Sequence, residues 1–144
     1  MQIKVERIDQ DFQMEATNED GNTVVLDGSP AIGGHNSGMR PMQLLLAGIG
    51  GCSAIDVISI LRKQRQPLDD IKITVDGERE PNKVPSLFTN IHLHYDLFGN
   101  LDEQKVRRAV ELSAEQYCSV GKMLEKTAEV TYDFTIHSTV ASPD

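Results

Sequence analysis

Apolar and polar residues alternate from residue 2 to residue 27. Ile3 and Val5 stand between charged neighbours, Phe12, Met14 and Ala16 repeat the period, and Val24, Val25 and Leu26 make a third apolar run. A period of two turns one face of a strand inward, so these residues predict three strands. The short connections at Asp9-Gln10 and at residues 19–22 (EDGN) suit hairpins and give an antiparallel meander. Residues 28–40, GSPAIGGHNSGMR, have no period and are rich in Gly and Ser, which predicts a loop long enough to carry function.

Pro41 suits a first helical turn, where its missing N–H would be unpaired anyway, and residues 41–64 then present Leu44, Leu45, Ile49, Ile55, Ile58 and Leu61. The first half of this helix is apolar on nearly all sides, which predicts burial. One small sheet face cannot cover such a helix, so a second copy of the chain is the expected cover. Gly48, Gly50 and Gly51 would then let another backbone approach, each at about 0.5–1 kcal/mol relative to Ala.

Further along, Ile71, Ile73 and Val75 predict a strand, as do Phe88, Ile91, Leu93, Tyr95 and Leu97, with residues 78–86 (EREPNKVPS) as the loop between them. Asn100 followed by Glu103 reads as a capping box for a second helix through Val106, Ala109, Val110 and Leu112. The run CSVGKMLEKT either continues that helix or starts a short third one, and Val130, Tyr132, Phe134 and Ile136 predict a last strand. The expected fold is therefore α+β, in the order β3-α-β2-α2-β, as one domain over residues 1–144.

Charge and composition narrow the partners. With 22 acidic against 14 basic residues the chain carries a formal charge of −8 and no basic stripe to neutralise successive phosphates, so no nucleic acid is expected. The amino terminus lacks the basic and apolar regions of a secretory signal, which predicts a cytoplasmic chain. The apolar stretch 44–61 is interrupted by Gly48, Gly50, Gly51 and Asp56, so no membrane span is expected either. Two cysteines are too few for a disulfide framework, and in a reducing compartment both start as thiols.

Those two thiols are the candidate chemistry. Cys52 shares a helical stripe with Gly48, Asp56 and Ser59, which leaves open a packed core thiol or a reactive one. Cys118, if it starts a helix, meets free N–H groups and a dipole that lower a thiol pKa, with Lys122 one turn on to help. In one continuous helix it would merely be packed.

The segments RPMQLLLAGIGGCSAIDV and EQYCSVGKMLEK resemble the two cysteine motifs of the OsmC/Ohr family of thiol-dependent peroxidases, and the element order is similar to that family's fold over almost the whole chain. The resemblance implies an intertwined homodimer with a buried central helix and sites at the subunit boundary. It further implies that Cys52 attacks a small apolar organic hydroperoxide and Cys118 resolves the product, with an external dithiol as reductant and no metal or organic cofactor. Thiolate attack on O–O gives a sulfenic acid, which a second thiol condenses to a disulfide.

Departures from the family pattern matter as much. The well-studied members carry a Glu ten residues before the reactive Cys, where this chain has Met42, and their arginine lies upstream, where this chain has Ile32 and Gly33. Arg40, with the more distant Arg7, is the available substitute, and Asp56 one turn from Cys52 would raise the thiol pKa if both ionised. A second reading follows: a redox-sensing or apolar-ligand module on the same scaffold with little or no catalysis. His92 and His94 form an H-x-H on one strand face, better explained as a half-exposed face than as a two-ligand metal site. His35, in the glycine-rich loop, reads as a surface residue or the mouth of a pocket.

Overall fold

The computed structural model of the chain describes residues 1–139, which divide into two compact units, Met1–Leu45 and the described residues from Leu46 onward. In the first, β1 (Ile3–Arg7), β2 (Met14–Asn18) and β3 (Thr23–Leu26) pair antiparallel in the order β1-β2-β3, the expected meander. Phe12, expected within the second strand, precedes it, because the bonds of Asp9 Oδ1 to the N–H groups of Asp11 and Gln13 hold residues 9–13 in a turn.

The glycine-rich loop is organised around one buried carboxylate. Asp27 accepts N–H bonds from Gly28 (2.7 Å), His35 (3.0 Å) and Ser37 (3.0 Å), which closes the loop over a short 3-10 turn at Pro30–Ile32. The Ser37 N–H, with those of His35 and Gly28, holds the Asp27 carboxyl below the ordinary carboxylate range despite its burial.

Helix α1 (Pro41–Lys63) leads into the second unit, followed by β4 (Leu68–Arg79), β5 (Phe88–Gly99), α2 (Glu103–Leu112), α3 (Ser119–Leu124) and β6 (Glu129–His137). The order β4-β5-β6 joins an antiparallel pair to a parallel one, and the crossover that parallel pairing requires is supplied by α2 and α3. Along β5, Ile91, Leu93, Tyr95 and Leu97 are buried while His92, His94 and Asp96 lie on the half-exposed face. The element order matches the expectation; the division into two separate three-stranded sheets and the parallel pairing were not read from the pattern.

One boundary expectation is corrected and one open alternative is decided. The cap of α2 is Asp102, not Asn100: its extended backbone lets the carboxylate accept from Lys105 N–H at 3.0 Å. The second and third helices are separate, because a π-type turn over Ser113–Tyr117, closed by Cys118 N–H to Ser113 O at 2.8 Å, ends in an extended Cys118 that starts α3.

Helix α1 is covered only in part by its own chain. Within one chain it buries a single stripe, Ile49, Ser53, Val57 and Leu61 with Gly50, while Ile55 is 70% exposed. Gly50 serves this chain's own sheet, since a Cβ there would lie 3.0 Å from Val75 Cγ2 on β4; Gly51 faces open space. By length and composition alone α1 suffices to cross a membrane, so the interrupting glycines and Asp56 do not exclude that on their own. Its Ser53, bonded to side chains of β5 and of the π-type turn, marks α1 as packed into the second unit.

Candidate functional site

Helix α1 and the start of α3 bring the two sulfurs together. The Sγ atoms of Cys52 and Cys118 and a carboxylate oxygen of Asp56 all lie within 4.8 Å of one another. Cys52 and Asp56 reach the spot because residues four apart on a helix share a face. Cys118 reaches it because the π-type turn shifts the chain before α3 begins.

Exposure and protonation separate the two thiols. Cys52 is half-buried, whereas Cys118 is 1% exposed. The Cys118 sulfur accepts Gly121 N–H at 3.3 Å, and its thiol points at Ile49 O at 3.9 Å. A Cβ at Gly121 would sit 3.3 Å from that sulfur, so a glycine lets the N–H come close. The expected lowering of the Cys118 pKa is overturned. Burial, with smaller contributions from the neighbouring Cys52 and Asp56, pushes the thiol up to about 11, outweighing the Gly121 bond. Lys122, expected to help, pairs instead with Glu125 at 3.2 Å.

Behind the trio runs a buried chain of hydroxyls that the sequence reading missed. Tyr95 OH bonds Ser53 Oγ, Ser53 Oγ bonds Ser113 Oγ at 2.9 Å, and Ser113 Oγ donates to Asp56 Oδ2 at 3.2 Å. Tyr95, Ser53 and Ser113 are all essentially inaccessible, and burial raises the Tyr95 phenol to about 12. A serine on the buried stripe of an apolar helix needs a partner, which was the available signal. Beside Asp56 opens a cleft of about 540 Å³ lined by Asp56, Ser59, Ile60, Lys63, Leu112 and Tyr117.

Arg40 lies in the first unit, where its guanidinium donates to Gly38 O at 3.0 Å and Asn36 Oδ1 at 2.9 Å. His35 pairs with Asp11 at 2.6 Å, which raises its pKa. His92 and His94 both bond Asp133 Oδ1 of β6, at 3.0 and 2.6 Å, as a half-exposed strand face should. Among the described residues, two side-chain groups have metal-ligand spacing: Cys52, Asp56 and Cys118, and the more exposed Asp9, Asp11 and His35.

Comparison with known proteins shows the family and the fold. The family described as OsmC-like protein matches residues 34–133. The chain is 43% identical over 120 residues to "Protein YhfA" of Escherichia coli K12, covering 81% of this chain and 84% of that one. A solved hypothetical protein from Aquifex aeolicus VF5 superposes with a TM-score of 0.77 at 30% identity, covering 94% of this chain and 96% of that one. An organic hydroperoxide resistance protein OsmC from Legionella pneumophila shares the fold, with a TM-score of 0.70 at 17% identity over 94% of this chain and 97% of that one.

Proposed function

The chain belongs to the OsmC-like family, and from that premise we propose that it reduces organic hydroperoxides through a Cys52/Cys118 cycle. The observation that carries this reading is the convergence of both sulfurs within 4.8 Å, the first half-buried and the second buried. The reachable thiol attacks and the enclosed one resolves.

The Cys52 thiolate attacks the outer peroxide oxygen, the O–O bond breaks, and the alkoxide takes a proton to leave as an alcohol. Asp56, beside both sulfurs and anchored by Ser113, is positioned to carry that proton. The Cys52 sulfenic acid then condenses with Cys118, forming the S–S bond and releasing water, and an external dithiol returns both thiols. Cys118 keeps its proton through the first step, since its pKa is about 11, and so does not compete for the peroxide. The cleft beside Asp56, with Ile60, Leu112 and Tyr117 on its walls, favours an alkyl substituent over hydrogen peroxide itself.

The same reading takes two chains as an intertwined homodimer in the cytoplasm, with both units acting as one OsmC-like domain. Its support is the apolar surface that a single chain leaves uncovered, Ile55 on α1 and Ile3 and Val5 on β1. Arg40, the expected substitute for the family's arginine, keeps its guanidinium on Gly38 O and Asn36 Oδ1 within the first unit. The second reading, a redox sensor or ligand-binding module, is favoured by Met42 in place of the family's Glu.

Mixing reduced protein with an organic hydroperoxide and a dithiol distinguishes the readings. Wild type should turn over, Cys118→Ser should stop after one stoichiometric oxidation, and Cys52→Ser should be inert. Full turnover by Cys52→Ser would remove Cys52 from the role assigned to it, and inert wild type would leave the binding module.

A further inference from the structure

We propose that Cys52, Asp56 and Cys118 form a binding site for a thiophilic divalent cation of the zinc class, with a water in the fourth position, and that occupancy withdraws both thiols from peroxide. The ion is a competing ligand of the thiol pair, and its binding is independent of whether the pair reduces peroxides.

Donor chemistry selects the ion. Two sulfurs and one carboxylate suit zinc-class ions, whereas magnesium and calcium require shells of six or more oxygens. Three protein ligands plus water is the pattern of an open zinc site. With Zn–S near 2.3 Å and Zn–O near 2.1 Å, tetrahedral donors stand about 3.6–3.8 Å apart. The three atoms here already lie within 4.8 Å, so side-chain rotation on two helical elements closes the site.

The supporting shell is in place. Ser113 Oγ fixes Asp56 Oδ2, and is itself held by Ser53 and Tyr95, while Gly121 N–H fixes the Cys118 sulfur. Such outer contacts orient ligands and govern metal affinity. Charge argues the same way. Among the described residues, no Lys, Arg or His forms an ion pair with Asp56, and the trio becomes strongly anionic once the thiols ionise. A divalent cation offsets this, leaving a net charge of −1 on the cluster.

Cobalt(II) added to the reduced, tag-free full chain tests the site, because thiolate coordination produces charge-transfer absorption that histidine or carboxylate sites elsewhere on the surface cannot. One cobalt per chain should bind with that absorption and tetrahedral visible bands, zinc should displace it, and magnesium should not. Cys52→Ser and Cys118→Ser should each lose part of the charge-transfer intensity and at least tenfold in affinity; Asp56→Asn should keep the intensity but lose at least tenfold in affinity. Should a variant misfold by circular dichroism, zinc protection of the half-buried wild-type Cys52 thiol from alkylation reads the same site. Absent charge-transfer absorption in wild type, or absorption unchanged by loss of either cysteine, overturns the proposal. Peroxide consumption is measured separately, so a protein inert to peroxide that still binds cobalt through sulfur sinks only the peroxidase reading.

Discussion

In the first unit, Ile3 and Val5 on β1 remain 55% and 58% exposed, whereas in the second Ile91, Tyr95 and Leu97 on β5 are fully buried. Both segments show the same two-residue alternation, so the pattern alone does not say which strand has a core to face. The buried residues of the first unit are Asp27 and Gly34, a carboxylate with its loop, while the second encloses an apolar core around the hydroxyl chain and the two sulfurs. Fixed geometry for chemistry belongs to the region with its own packing. The exposed apolar face of the first sheet is surface that needs a cover.

The largest expected effect that sharpens this contrast is Ile91→Ala, which should cost about 2–5 kcal/mol in denaturant unfolding, because a cavity opens in the second unit's core. Val5→Ala should cost less than about 1 kcal/mol in a dissociated chain, as expected for surface positions. Equal costs would break the distinction. Next comes Ser53→Ala, which leaves Tyr95 OH without the partner recorded for it and should cost about 1–3 kcal/mol. The double variant with Tyr95→Phe should recover part of that.

Ile55→Asp addresses the cover. Under the proposed dimer it should raise the dimer dissociation constant at least tenfold in sedimentation, with the far-ultraviolet circular dichroism unchanged; a wild-type chain that sediments as a monomer at every concentration contradicts the dimer.

The smallest effects are in pH, and they run in opposite directions for the two units. Asp27 is held below the ordinary carboxylate range, so its contribution is full above that range and is lost as pH falls through its folded pKa. Cys118 is raised from 9.0 to about 11, so the unfolded chain releases a proton that the folded one keeps. Its contribution is full below pH 9.0 and declines as pH rises toward about 11. Asp27→Asn should flatten the acid limb of a stability profile, and Cys118→Ser should flatten part of the alkaline limb.

Much of this was legible in the chain. The alternation gave every strand, Pro41 the start of α1, and two cysteine motifs the family and the pair that meets. What escaped depended on tertiary context. Parallel pairing of β6 with β5 leaves no local mark, and Asn100 and Asp102 are both good caps whose choice depends on backbone extension at Asp102. The helix-start argument for Cys118 was right about its position and wrong about its pKa, because desolvation outweighs one N–H bond. Tyr95 looked like another inward strand residue, and its hydroxyl gained meaning only once Ser53 stood opposite.

The central claim is that Cys52 and Cys118 act as one redox pair inside the second unit. Peptide mapping by mass spectrometry, after one equivalent of an organic hydroperoxide without added dithiol, tests it most directly. The account predicts a Cys52–Cys118 disulfide within each chain, formed as the peroxide is consumed; two intact thiols, or a disulfide joining Cys52 residues of separate chains, would contradict it.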